Sequence, residues 1–101
     1  MILYNVTVSV DFSIEQDWKV WMQDIHIPEV LETGYFTGHR MLKLLNDQPD
    51  ATGATYAIQY ELSTIGHLDT YLQKEAPSLQ LKHQQRYGQK IMAFRTVLET
   101  V

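Results

Sequence analysis

From Ile2 to Val10 the chain alternates, with Ile2, Tyr4, Val6, Val8 and Val10 on one side and Leu3, Asn5, Thr7 and Ser9 on the other. A period of two predicts a β-strand with one strongly apolar face. The period then changes. Ile14, Trp18, Trp21, Met22 and Ile25 recur at helical spacing and form one wide apolar stripe. Ser13 is the expected start of that helix, because its hydroxyl can accept from the backbone N–H near Gln16 while Gln16 reaches back. Pro28 interrupts the pattern, since it has no N–H to donate and disfavours the α region for Ile27. A break near His26 and Ile27 follows, with a short segment from Pro28 to Thr33 that Gly34 can end at positive φ.

Phe36 to Asn46 reads as the next strand, and Gly38 within it suggests a bulge or a close approach. Asp47 to Gly53 is a dense turn signal. Thr55 to Leu62 alternates again, placing Tyr56, Ile58, Tyr60 and Leu62 on one face and Thr55, Ala57, Gln59 and Glu61 on the other. Ser63 or Thr64 caps a second helix that carries Leu68, Tyr71, Leu72 and Ala76. Pro77 breaks or restarts it, and Leu79, His83 and Tyr87 continue the stripe to Gly88. Ile91 to Val101 closes the chain as a strand.

The order is strand, helix broken by Pro, strand, turn, strand, helix broken by Pro, strand. Two right-handed β-α-β halves of this kind interleave into an α+β, ferredoxin-like βαββαβ fold, with sheet order 4-1-3-2 and both helices on one face. The first and third strands are then central. Their second faces are small and mixed, and Met41 and Leu45 join them if Gly38 leaves the register unshifted. A partly apolar open face of this kind is commonly covered by a symmetry mate, so a homodimer is expected.

Composition narrows the function. At 101 residues the chain has room for one domain, residues 1–101, and its 45% apolar and 20% charged residues are ordinary for a globular protein. Net charge is −4, which gives no general attraction for phosphate backbones or anionic lipids, so neither nucleic acid nor membrane is an expected partner. Cysteine is absent, which removes thiolate nucleophiles, disulfides and zinc-thiolate sites and suits a reducing compartment. The N-terminus has no basic, continuously apolar leader and no apolar run is long enough to cross a bilayer, so the expected location is cytoplasmic.

Trp18-x-x-Trp21-Met22, followed by His26-Ile27-Pro28-Glu29-Val30 and Thr33-Gly34-Tyr35-Phe36, resembles a bacterial domain-of-unknown-function family of about this length. The closing Ala93-Phe94-Arg95-Thr96 resembles that family's last strand. The resemblance implies the dimeric α/β-barrel superfamily, in which two ferredoxin-like subunits face their sheets into one another. Distant members include cofactor-free antibiotic-biosynthesis monooxygenases, muconolactone isomerase-like enzymes, polyketide cyclases and haem-degrading enzymes. No motif here matches one of those subfamilies residue by residue, so the resemblance transfers no catalytic role.

Read from the residues, His26 is the candidate general base, because its unperturbed pKa lies near neutrality and it sits where the first helix ends. Its alternative role is to satisfy the helix carbonyls freed by Pro28. Tyr4, Tyr56 and Tyr60 lie on apolar strand faces and, with Trp21, can form an aromatic ligand pocket with polar tips, or simply a tyrosine-rich core. His83 follows the second stripe, as a packed histidine or a site residue. Arg95 and Arg40 stand in strands poor in charge, where either can hold a carboxylate or phenolate ligand, or pair with an acid. The four histidines show no close metal-ligand spacing and no phosphate loop is present, so neither metal nor cofactor is expected. An RNA-recognition role is set aside, because the strand tyrosines share the helix-facing side and their strand has no Lys or Arg. The expected function is binding of a small aromatic or polyketide-like molecule between sheet and helices, as a cofactor-free oxygenase, isomerase or cyclase. The alternative is a non-catalytic dimeric structural or regulatory module.

Overall fold

Strand β1 (Ile2–Asp11) pairs on both sides in the computed structural model of the chain, which describes residues 1–46 and 51–101. It runs antiparallel to β3 (Gly53–Leu62) on one side and to β4 (Ile91–Glu99) on the other, and β2 (Gly38–Lys43) adds to the far edge of β3. The sheet order is therefore β2-β3-β1-β4, the expected 4-1-3-2 read from the opposite edge. Tyr4 lies opposite Tyr60 and Val97, and Val8 opposite Tyr56 and Ala93. Directly opposed residues share a face, so the apolar alternation in β1 dictates the buried face of its neighbours.

The first helix begins differently from the expectation. Asp11, not Ser13, is the cap: its Oδ1 accepts from the Ser13 backbone N–H at 2.8 Å and from the Ser13 hydroxyl at 2.6 Å. A 3₁₀ turn over Phe12–Ile14 leads into α1 (Glu15–Trp21). The chain then keeps turning through Pro28 instead of breaking. A π turn spans Met22–His26 and runs directly into α2 (Ile27–Glu32), with the Ile27 N–H donating to the Met22 carbonyl five residues back. A proline ring meets the carbonyl four residues before it and offers no donor, and a wider turn relieves both problems. The same widening carries Ile25 off the apolar stripe, to 46% exposure, while Trp18, Trp21 and Met22 stay buried.

In the second half Thr64 caps α3 (Ile65–Lys74), its hydroxyl accepting from the His67 N–H at 3.2 Å. Glu75 separates α3 from α4 (Ala76–Tyr87), whose first turn holds Pro77. Gly34 and Gly88, at φ +86° and +57°, end the helical segments in the left-handed region that other residues avoid. Among the described residues no helix is long and apolar enough to cross a membrane.

Gly38 makes no bulge. It pairs in register with Glu61, and an added Cβ would meet only the flexible carboxylate end of that side chain, at 3.0 Å. Although the register is unbroken, Met41 lies opposite Ile58 and packs on the core rather than on the open face, because β2 starts only at Gly38 and Phe36 packs on the core from outside the strand. Leu45 lies beyond β2 and is almost fully exposed. Of the turn expected over Asp47 to Gly53, residues 47–50 lie outside the described residues.

The sheet thus has two unlike faces. Toward the helices Val8, Ile58, Leu62, Leu68 and Trp18 are essentially inaccessible to solvent. On the other face Met92, Phe94, Leu98 and Leu42 are each 45–61% exposed. Gly53 allows β3 to start against β1, because a Cβ there would collide with the Val10 carbonyl. Gly53→Ala should therefore cost about 1–3 kcal/mol, the usual cost of overpacking. A urea melt with an unchanged midpoint would show instead that the two strands can separate locally without penalty.

Candidate ligand cavity between sheet and helices

The two-residue period sends Tyr4 and Val6 of β1, Ile58 and Tyr60 of β3 and Arg95 of β4 to the same face of the sheet. Above them the π turn supplies Met22 and His26, α2 supplies Val30, and α3 supplies Tyr71. Helix α4 completes the wall with Leu79, Gln80 and His83. The space they enclose is ≈ 20 Å³, enough for about one water molecule.

Two histidines meet here with different freedoms. The Trp18 Nε1–H, which can only donate, gives its hydrogen bond to His83 Nε2 at 2.9 Å, inside the core. His83 is thereby held neutral with its proton on Nδ1. The His26 ring stacks on Trp21 at 5.0 Å and lies 5.3 Å from His83 between ring centres. Among the described residues no protein hydrogen bond occupies either nitrogen of His26. Burial drives its pKa down to about 4, with Glu29 opposing and Arg95 and Lys82 adding to the fall. Burial also lowers His83 to about 4, helped by His26 and Arg95. Both imidazoles are therefore free bases at neutral pH.

The tyrosines are held as donors. Burial raises the Tyr4 pKa, while the Arg95 charge and the polar heads of Arg95 and Gln80 pull the other way. Burial pushes Tyr60 up, helped by Tyr71 and Tyr4, and pushes Tyr71 up, helped by Tyr4 and opposed by Arg95. Tyr4, Phe36, Tyr60 and Tyr71 form one aromatic cluster with ring centres 4.8–6.5 Å apart.

Of the residues singled out in the sequence, Tyr4, Tyr60, His26, His83 and Arg95 thus surround one space. Trp21 and Tyr56 do not line it. Trp21 forms the outer wall behind the histidines, with the Arg86 guanidinium over its ring at 5.6 Å and the Tyr87 edge against it. Tyr56 lies behind Trp18 and donates its hydroxyl to Glu15 Oε2 at 2.5 Å, a carboxylate that also pairs with Lys43 at 3.1 Å. Arg40 is on the open face, donating to Gln59 at 2.9 Å. Tyr71 and Gln80 were not anticipated. Tyr71 did carry a signal, since it shares the helical stripe of Leu68, whereas Gln80 had none apart from its neighbours. Among the described residues no three His, Cys, Asp or Glu side chains gather to hold a metal ion.

A four-stranded antiparallel sheet, helices packed on one face and a polar-tipped cavity between the layers define an α+β protein of ferredoxin-like type. The fold is shared with HapK from Hahella chejuensis (TM-score 0.72, 9% identity, covering 100% of this chain and 93% of that one). It is shared also with SnoaB, a cofactor-independent oxygenase from Streptomyces nogalater (TM-score 0.64, 9% identity, 98% and 91% covered). A third similar structure is MhuD carrying two manganese protoporphyrin IX molecules per active site (TM-score 0.67, 11% identity, 100% and 95% covered). By sequence, the chain belongs to the family described as Domain of unknown function (DUF4286), which matches residues 1–101. No curated protein matches it.

The depressed histidines have a measurable consequence. Between about pH 6.5 and about 4 the unfolded chain takes up protons that the folded imidazoles refuse. Stability should therefore be greatest above pH 6.5 and fall as the pH drops through that window, by up to ~1.4 kcal/mol per pH unit for each histidine. Asp11 and Glu15, whose pKa values are lowered by hydrogen bonds to Ser13 and to Tyr56, add their loss only as pH falls through and below the ordinary carboxylate range. Thermal melts of the wild type and of a His26→Gln, His83→Gln double variant check this, since the variant should show a flatter dependence between pH 6.5 and 4.5. Parallel curves would mean that the histidines titrate normally.

Proposed function

We propose that this protein binds a small aromatic or polyketide-like molecule between sheet and helices and acts on it without a cofactor, as an oxygenase, isomerase or cyclase. The observation that carries this reading is His26, a neutral imidazole on the cavity wall with no protein hydrogen-bond partner among the described residues, in a lining that also holds Tyr4, Tyr60, Tyr71 and Arg95. A free imidazole can take a proton from an acidic C–H or O–H, and fixed donors nearby orient the oxyanion that results. SnoaB, of the same fold, is a cofactor-independent oxygenase, and MhuD holds two manganese protoporphyrin IX molecules per active site. Admission of an aromatic ring requires the ≈ 20 Å³ space to widen. The unbranched Met22 side chain at the π turn is suited to move first.

The small resting space also favours a second reading, a non-catalytic dimeric module with a filled core. Thermal-shift and native mass-spectrometry screens against hydroxylated aromatics, from catechol to anthrone, separate the two. The first reading expects His26→Gln to keep the melting temperature at pH 7 while weakening binding or abolishing turnover of the hits. Retained folding with unimpaired binding and turnover would remove His26 from the base role.

We further propose that residues 1–101 form one domain that works as a homodimer in the cytoplasm. The absence of cysteine suits that reducing compartment. The open sheet face is the surface a second copy would cover. It carries Met92, Phe94, Leu98 and Leu42 exposed to solvent, and at its centre the buried Asn5 Oδ1 has no partner among the described residues, although Asn5 Nδ2 donates to Thr7 and Thr96. A dimeric ferredoxin-like protein from an uncultured marine organism shares the fold. Sedimentation equilibrium should give a dimer at micromolar concentration, and Phe94→Asp should shift it to monomer; a wild type that stays monomeric would overturn this.

A further inference from the structure

We infer that the cavity selects an anion, a small monoanionic carboxylate or enolate seated on Arg95 in preference to its neutral isostere. This rests on the cavity being a ligand site and adds the charge of what it takes.

The wall composition is one-sided. It contains one guanidinium, the hydroxyls of Tyr4, Tyr60 and Tyr71, and the Gln80 amide, but no Asp or Glu. Elsewhere three cations are paired with carboxylates: Lys43 meets Glu15 at 3.1 Å, Lys82 meets Glu29 at 2.9 Å and Arg86 meets Asp17 at 3.5 Å. Among the described residues Arg95 has no carboxylate within ion-pairing distance. Arg95 lies opposite Val6 on the helix-facing side of β4, where its same-face neighbours along the strand are Ile91, Ala93 and Val97. The Arg95 side chain is itself exposed while lining the cavity, and there a carboxylate makes stronger charge-assisted hydrogen bonds to the guanidinium than a neutral group does.

The charge of Arg95 is felt across the cavity, opposing the upward shifts of Tyr4 and Tyr71 and adding to the depression of both histidines. Because those histidines stay neutral, Arg95 is the one full charge on the wall. One positive charge fits a monoanion. Two acids act on the lining from outside it: Glu29, tied to Lys82, opposes the fall of His26, and Glu75 reaches Tyr71 through space from the junction of α3 and α4. Arg95 keeps solvent access, so an anion has a route to it, and the planar guanidinium fork matches the two oxygens of a carboxylate.

The test titrates the full chain at pH 7 and constant ionic strength with formate and benzoate, each beside its neutral isostere, formamide and benzamide. Nitrogen-detected NMR follows the Arg95 Nε–H and the histidine rings. The carboxylates should give saturable shifts and bind roughly tenfold or more tightly than the amides. Arg95→Gln should lose that preference with its backbone spectrum otherwise intact, and Arg95→Lys should keep part of it. If the amides bind as well as the carboxylates, or if Arg95→Gln binds carboxylates like the wild type, the charge inference fails while the cavity remains a ligand site. If none of the four probes reaches the cavity resonances in wild type, while the hydroxylated aromatics do, the anion inference alone fails; if those also fail to bind, both readings fall.

Discussion

One hydrogen bond inside an apolar layer, from the Trp18 indole to His83, organises much of this molecule. It joins α1 to α4, residues 65 positions apart, and so ties the first β-α-β half to the second where no strand pairing can do so. A buried indole N–H left unpaired would cost roughly 1–3 kcal/mol. The bond also fixes the plane and the tautomer of His83, and around it the rings of Trp18, Trp21, His26, Tyr56 and Tyr87 settle at centroid distances of 5.0–6.4 Å. Since His83 Nε2 is already engaged, the two histidines are chemically unequal. Position alone would not have separated them.

The π turn is the second determinant, and its cause is a single residue. Pro28 has no N–H to give, and the turn before it widens so that Ile27 donates five residues back. Met22 and His26 then both reach the cavity while Ile25 turns to solvent. Local backbone chemistry thus sets the wall of the site. His26 ends the π turn, a stretch whose backbone hydrogen bonds depart from the α pattern.

Strands and faces were legible in the sequence because alternation is a direct image of the pleat: Tyr4, Tyr56 and Tyr60 appear on the buried face as their spacing implies. Helix ends were legible where a glycine in the left-handed region was required, at Gly34 and Gly88. Three features were not. The cap moved from Ser13 to Asp11 because a 3₁₀ turn precedes α1, and the Ser13 to Gln16 spacing that fits a capping box does not show that the chain already turns two residues earlier. Pro28 signals trouble for an α-helix without saying whether the chain stops or widens. Met41 fell on the core face with the register unshifted, because β2 begins at Gly38 and alternation counted from Phe36, which lies before the strand, assigns the wrong face. The cavity itself was half visible. Tyr4, Tyr60, His26, His83 and Arg95 meet there, whereas Trp21 and Tyr56 are one layer removed, a depth that periodicity does not encode.

The pairing of β1 with both its neighbours is unbroken from end to end, with no bulge to absorb an extra residue. Inserting or deleting one residue near the middle of β1 would exchange the two faces of everything beyond it, carrying side chains such as Tyr4 away from the helices and Asn5 into the core. Change in this segment is therefore confined to substitution. The ends of the sheet can drift in length, but the central strand can diversify its chemistry only one side chain at a time, in place.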